Sequence, residues 1–134
     1  MRDINNNPIS DSEFNFTFGA STPSGANLFF AAPTPNTDPV TEKVVSYTPG
    51  TMYIDVNGPA TPNKYGRDVF AFVLSGDGHL YPYGSKNAAK ELGIAETNTW
   101  DNADAEAAYG CGTSKANGLG CTYKLVEDGY HMKY

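Results

Sequence analysis

A chain of 134 residues has the size of a single domain. Its net charge of −6 argues against a nucleic-acid binder, which needs a basic face to neutralise phosphates, and against docking on anionic lipid. Charged residues make up only 18% of the chain while Tyr (9) and Phe (7) are plentiful, which excludes a disordered composition and fits a loop-rich, strand-based extracytoplasmic domain better than a helical bundle.

Residues 1–13 are polar and without periodicity, and read as a linker or the residual end of a helix begun upstream; residues 14–134 read as one globular domain. Phe14, Phe16 and Phe18 alternate with Asn15 and Thr17, a strand signature. Residues 26–32, with Leu28, Phe29 and Phe30, form a second strand, after which Pro33, Pro35 and Pro39 enforce a loop. Residues 44–48 and 52–56 flank Pro49-Gly50, a turn dipeptide, and predict a hairpin. Residues 68–74 make the next strand, ended by the turn Gly76-Asp77-Gly78, and residues 79–83 a short extended piece. Ser85 is placed to cap a helix over 86–92 that stops at Gly93. Residues 99–108 predict a helical turn or ordered loop anchored by Trp100 and Tyr109. Residues 121–127 predict one or two helical turns ended by Asp128-Gly129, and residues 130–134 an extended end.

Oxygen-bearing side chains recur at Asp55, Asn57, Asn63 and Asp68 in a segment that Gly58, Pro59, Pro62 and Gly66 keep out of helix and regular strand. Two roles suit such a loop. Ca²⁺ takes six to eight oxygens from carboxylates, amides and carbonyls, and these four residues are its candidate ligands. Alternatively, Asp and Asn cap backbone N–H groups in a long turn. The spacing is not that of an EF-hand. Asp101, Asp104 and Glu106 form a second acidic cluster, which reads as a solvated face, a cation site or a contact for a basic neighbour.

The two cysteines, Cys111 and Cys121, bracket a glycine-rich segment able to close on itself. A disulfide is the expected state, against two free thiols; the spacing suits neither a CxxC redox pair nor zinc. A bridge over so short a loop stabilises by roughly 2–3 kcal/mol on the chain-entropy model and implies an oxidising compartment.

Three pieces of the chain resemble the globular domain of type IV pilin-like proteins, which include major and minor pilins and the pseudopilins of type II secretion. The first is Asp55-Val-Asn-Gly58 with Pro62-Asn63, Gly66, Asp68 and Phe70. The second is Gly78, Leu80, Pro82 and Gly84, directly after a strand. The third is the ending from Cys121 to Tyr134. Together they span about the last two-thirds of the chain.

The resemblance implies an α+β fold: an antiparallel β-sheet with short helices, a disulfide-closed C-terminal region, and a long N-terminal apolar helix against which the sheet packs. That helix, and a processing signal of the Phe-Thr-Leu-Ile-Glu type, are not among these residues, and the abrupt polar start leads us to expect that they have been removed and that Met1 is an added start. The resemblance further implies a structural subunit of a pilus or secretion filament with other pilin subunits as partners. Such a subunit is periplasmic or extracellular, anchored in the inner membrane through its helix before assembly. Some pseudopilins hold calcium.

No enzyme is expected. Neither His79 nor His131 stands in a nucleophile–base pattern, no Gly-x-Ser-x-Gly elbow is present, and neither cysteine has a nucleophile's setting. Tyr65, Tyr81 and Tyr83 lie near turns and are the candidates for a surface contact; the bland reading of the tyrosines is sheet packing with hydroxyls at the rim. Such a surface would suit the alternative function, a secreted non-catalytic binding module for carbohydrate or a host protein.

Overall fold

A computed structural model describes residues 6–8, 18–21, 23, 25–58, 64–93, 111 and 118–132. They form antiparallel sheets with two short helices: β1 (Phe18–Ser21), β2 (Asn27–Ala31), β3 (Thr34–Thr37), β4 (Val44–Thr48), β5 (Gly50–Asp55), β6 (Val69–Leu74), β7 (Leu80–Pro82), α1 (Lys86–Glu91) and α2 (Cys121–Glu127). Five strands make the main sheet in the order β1-β2-β5-β6-β7, and β3 with β4 makes a separate two-stranded ribbon.

The strand period of two sorts the sheet into two faces. On one, Phe29, Tyr53 and Ala71 stand in register across β2, β5 and β6, with Val69 and Val73 two residues either side of Ala71. This face carries the core. Tyr53, Val69, Ala71 and Val73 cluster with Tyr65, Tyr83, Ala88 and Leu119, which reach it from the loop before β6, the turn after β7, helix α1 and the approach to α2. The Tyr53 and Tyr65 rings lie 5.8 Å apart and tilted by 33°, a geometry worth about 0.5–1.5 kcal/mol beyond the area buried. On the other face two apolar rows run across three strands: Leu28–Ile54–Phe70 and Phe30–Met52–Phe72. None of these six joins the core cluster, and all but Phe70 are only half-buried.

Both helices follow from local chemistry. Ser85 Oγ accepts the Ala88 N–H at 3.2 Å, capping α1 as its position predicts, and Ala88 and Ala89 form the buried side. Helix α2 has no side-chain cap and is held by the sheet instead. Thr122 Oγ1 accepts the Ala71 N–H at 2.9 Å, and the Tyr123 N–H donates to the Tyr83 carbonyl at 3.0 Å. The hydroxyl thereby takes the place of a strand neighbour that β7 is too short to supply. Thr122→Val is expected to lower stability by about 1–3 kcal/mol, because the buried Ala71 donor loses its acceptor, while Thr122→Ser retains most of it. Urea unfolding midpoints of the two variants test this.

Several expectations are corrected. Pro49-Gly50 does not turn a hairpin. Strand β4 pairs with β3, whereas β5 pairs with β2 and β6, and the dipeptide is the corner where the chain leaves the ribbon for the main sheet. Glycine is needed there for close approach, since a Cβ at position 50 would collide with the Ala31 carbonyl oxygen. The proline-rich stretch is not all loop: Pro35 lies within β3, in an exposed ribbon that needs no donor on its outer side. Of the Phe14–Phe18 alternation only Phe18 is described, opening β1. The predicted element over 99–108 lies outside the described residues, as do Trp100, Tyr109 and the acidic cluster Asp101, Asp104 and Glu106. No described helix is long and apolar enough to cross a membrane.

Candidate functional site

The loop joining β5 to β6 begins and ends on buried carboxylates, because Asp55 and Val69 are register partners and Asp68 precedes Val69. The structure brings three of the four candidate ligands, Asp55, Asn57 and Asp68, to this end of the sheet; Asn63 lies outside the described residues. Asp68 accepts two donors, Asn57 Nδ2 on Oδ2 at 2.9 Å and the Lys64 N–H on Oδ1 at 2.5 Å. Asp55 Oδ1 accepts the Asn57 N–H at 3.3 Å, and the strands are closed by the Val56 N–H on the Asp68 carbonyl at 2.8 Å. Three of the four carboxylate oxygens therefore already receive N–H groups, the arrangement of a turn that caps itself. Burial, opposed in part by the Asn57 N–H and reinforced by the Asp68 charge, pushes the Asp55 carboxyl above its ordinary value. For an acid whose pKa is raised by folding, stability falls as pH rises through that value. No group of three or more His, Cys, Asp or Glu placed to hold a metal occurs among the described residues.

The same loop is clamped from outside. Cys111 and Cys121 form a disulfide, with both residues buried. Gly66 sits against it at φ +76°, where an added Cβ would lie 2.7 Å from Cys121 Cβ and 2.8 Å from its Sγ. The Gly66 turn that ends this loop, the start of α2 and the disulfide are thus packed together.

At the opposite end of the sheet, the turn between β6 and β7 holds a second small network. Ser75 Oγ donates to Asp77 Oδ1 and accepts the His79 N–H at 3.0 Å, while His79 Nδ1 lies 3.0 Å from Asp77 Oδ1. The His79 ring stacks on Tyr81 at 5.9 Å and 16°. The sequence predicts the turn but not the part of Ser75, whose only local signal is a serine two residues before an aspartate. The Ser75 hydroxyl and then His79 hold the Asp77 carboxyl down to about 2, from 3.8. A depressed carboxyl contributes stability that is present above the unfolded value of 3.8 and lost as pH falls through about 2. Replacing Asp77 with asparagine is accordingly expected to flatten this acid limb, read from thermal midpoints taken between neutral and strongly acid pH. An unchanged pH profile would contradict it.

The surface tyrosines are corrected in part. Tyr65 is 1% and Tyr83 6% exposed, both in the core, because the turns that carry them fold over the sheet face; Tyr81 alone keeps partial exposure. No protein-family model, curated protein or solved structure matches the chain.

Proposed function

We propose that this chain is the globular domain of a structural subunit, pilin or pseudopilin, of a type IV pilus or type II secretion filament, acting by assembly and surface presentation. The reading rests on the resemblance of the Asp55–Phe70, Gly78–Gly84 and Cys121–Tyr134 segments. The observation that supports it best is the second face of the sheet. The rows Leu28–Ile54–Phe70 and Phe30–Met52–Phe72 form an apolar surface outside the core cluster, suited to receive an apolar helix. Burial of such surface contributes about 25 cal/mol per Å². The test joins the domain to an apolar helix of about 20 residues and expresses it with a filament-assembly machinery. Filaments sheared from the cells are expected to contain it, and to exclude it when Met52 and Phe72 are both changed to aspartate. Failure of the unsubstituted protein to enter filaments overturns the proposal.

For the Asp55–Asp68 loop the hydrogen bonds favour self-capping, and calcium is the competing proposal. A cation bound only by the native state at about 100-fold over its Kd stabilises by roughly 2.7 kcal/mol. A rise in thermal midpoint with Ca²⁺ over EDTA, lost on Asp68→Ala, assigns calcium to the loop; no rise at millimolar Ca²⁺ leaves it self-capped. The alternative function is a secreted binding module for carbohydrate or a host protein, and one observation favours carbohydrate. The stacked His79–Tyr81 rings beside Asp77 offer an aromatic platform next to a hydrogen-bond acceptor. Glycan binding that is abolished by Tyr81→Ala would support it.

A further inference from the structure

Six of the exposed large apolar side chains lie towards the two ends of the main sheet. At the end where β5 begins, the ribbon carries Val40 at 88% exposure, Val45 at 66% and Tyr47, and β7 opens on the exposed Leu80. At the end where β5 finishes stand Val56 at 50% and Met132 at 45%. Six residues of strand, about 20 Å, separate the two.

Their charges differ as well. The ribbon end carries Asp38, Glu42 and Asp77 against Lys43. The far end exposes Arg67, whose Nη1 lies 3.5 Å from Met132 Sδ, with Lys64 close in the same loop, while its own carboxylates Asp55 and Asp68 are buried.

The ribbon is also pre-ordered. Asp38 Oδ1 accepts the Val40 and Thr41 N–H groups at 2.7 and 3.1 Å, and its carbonyl accepts the Glu42 N–H at 2.8 Å, so Val40 is held out at a fixed tip. Tyr47 packs on Gly76, which ties the ribbon to the β6–β7 turn. A tip already ordered loses little freedom on binding.

We propose that copies of this chain associate end to end, the acidic apolar ribbon end of one against the Arg67–Met132 end of the next. The proposal deepens the filament reading above by naming the contact between globular domains. Two unlike patches at opposite ends make a heterologous contact, which extends rather than closing as a dimer. Opposite charge guides the approach and fixes the register.

Sedimentation equilibrium of the 134-residue chain at low salt, up to millimolar concentration, tests it. The average mass is expected to rise past the dimer without a plateau. Val40→Asp removes one end, and Met132→Asp removes the other by placing a carboxylate on Arg67; each variant is expected to be monomeric. Mixed, they should give a dimer and nothing larger, because each retains one competent end. Arg67→Glu is expected to weaken association about tenfold or more. Thermal midpoints confirm that these variants at exposed positions remain folded. A monomer at every concentration, a plateau at the dimer, or growth unaffected by the end variants overturns the proposal. Met52→Asp with Phe72→Asp, which addresses the helix-packing face, is expected to leave this association unchanged. Failure of the end contact and failure of the filament reading are therefore separable.

Discussion

Replacing Gly66 with alanine is expected to destabilise the domain by about 2–5 kcal/mol. About 1–2 kcal/mol comes from forcing a side chain into the left-handed region. A further 1–3 kcal/mol, roughly, comes from pressing a methyl group into a packed interior. Its neighbours are Cys121 Cβ and Sγ, covalently fixed atoms with little room to move. Gly93 supplies the control. Its φ of +75° matches the +76° of Gly66, but nothing lies within 4 Å of the Cβ it lacks. Gly93→Ala therefore pays only the backbone strain, and the difference between the two variants in urea unfolding isolates the packing of the loop against the disulfide. Equal losses at both positions would falsify the account of a clamped loop.

The second large effect is removal of the disulfide. Reduction, or the paired change of Cys111 and Cys121 to alanine, is expected to lower stability by about 2–5 kcal/mol. A midpoint shift of roughly 3–5 °C per kcal/mol is expected for a domain of this length. Chain entropy alone accounts for about 3 kcal/mol for a bridge between positions 10 apart. The rest comes from a Cys121 side chain that is fully buried and touches the Gly66 turn. The loss should also be local. Amide exchange at Ala71 and Tyr123, whose N–H groups join α2 to the sheet and to the β7 turn, should quicken before exchange in the centre of β5. A midpoint that reduction leaves in place would rule out a stabilising role for the bridge.

What the sequence made legible was whatever announces itself locally. Ser85 with the alanines behind it, the apolar run of β6, the Gly76-Asp77-Gly78 turn and the helix from Cys121 to Glu127 each carry their own cap, period or breaker, and each is present. The errors came where one residue type serves two purposes. Gly50 looks like half of a turn dipeptide, yet its use is to let the Ala31 carbonyl come close. Pro35 looks like a strand breaker, yet an exposed ribbon tolerates a missing donor. Tyr65 and Tyr83 sit beside turns, but those turns fold inward, a matter of tertiary path that no window of sequence contains. The candidate loop was legible as a cluster of oxygens. Its hydrogen bonds were not, since whether Asp68 receives Asn57 Nδ2 or a cation depends on where the loop turns. The role of Thr122 left no trace at all, because the donor it satisfies is 51 residues away.

The ribbon inserted between β2 and β5 bears on how fast the domain can fold. Every other pair in the main sheet joins strands that follow one another along the chain; only β2 and β5 must meet across an intervening segment. Because β3 and β4 pair with each other, a ribbon formed early would draw that segment in and lower the entropy of bringing β2 to β5. A ribbon that acts as such a shortcut has a measurable mark: sequence changes along its Asn36–Ser46–Thr48 hydrogen-bonded side are expected to register in the rate of folding more than in the rate of unfolding.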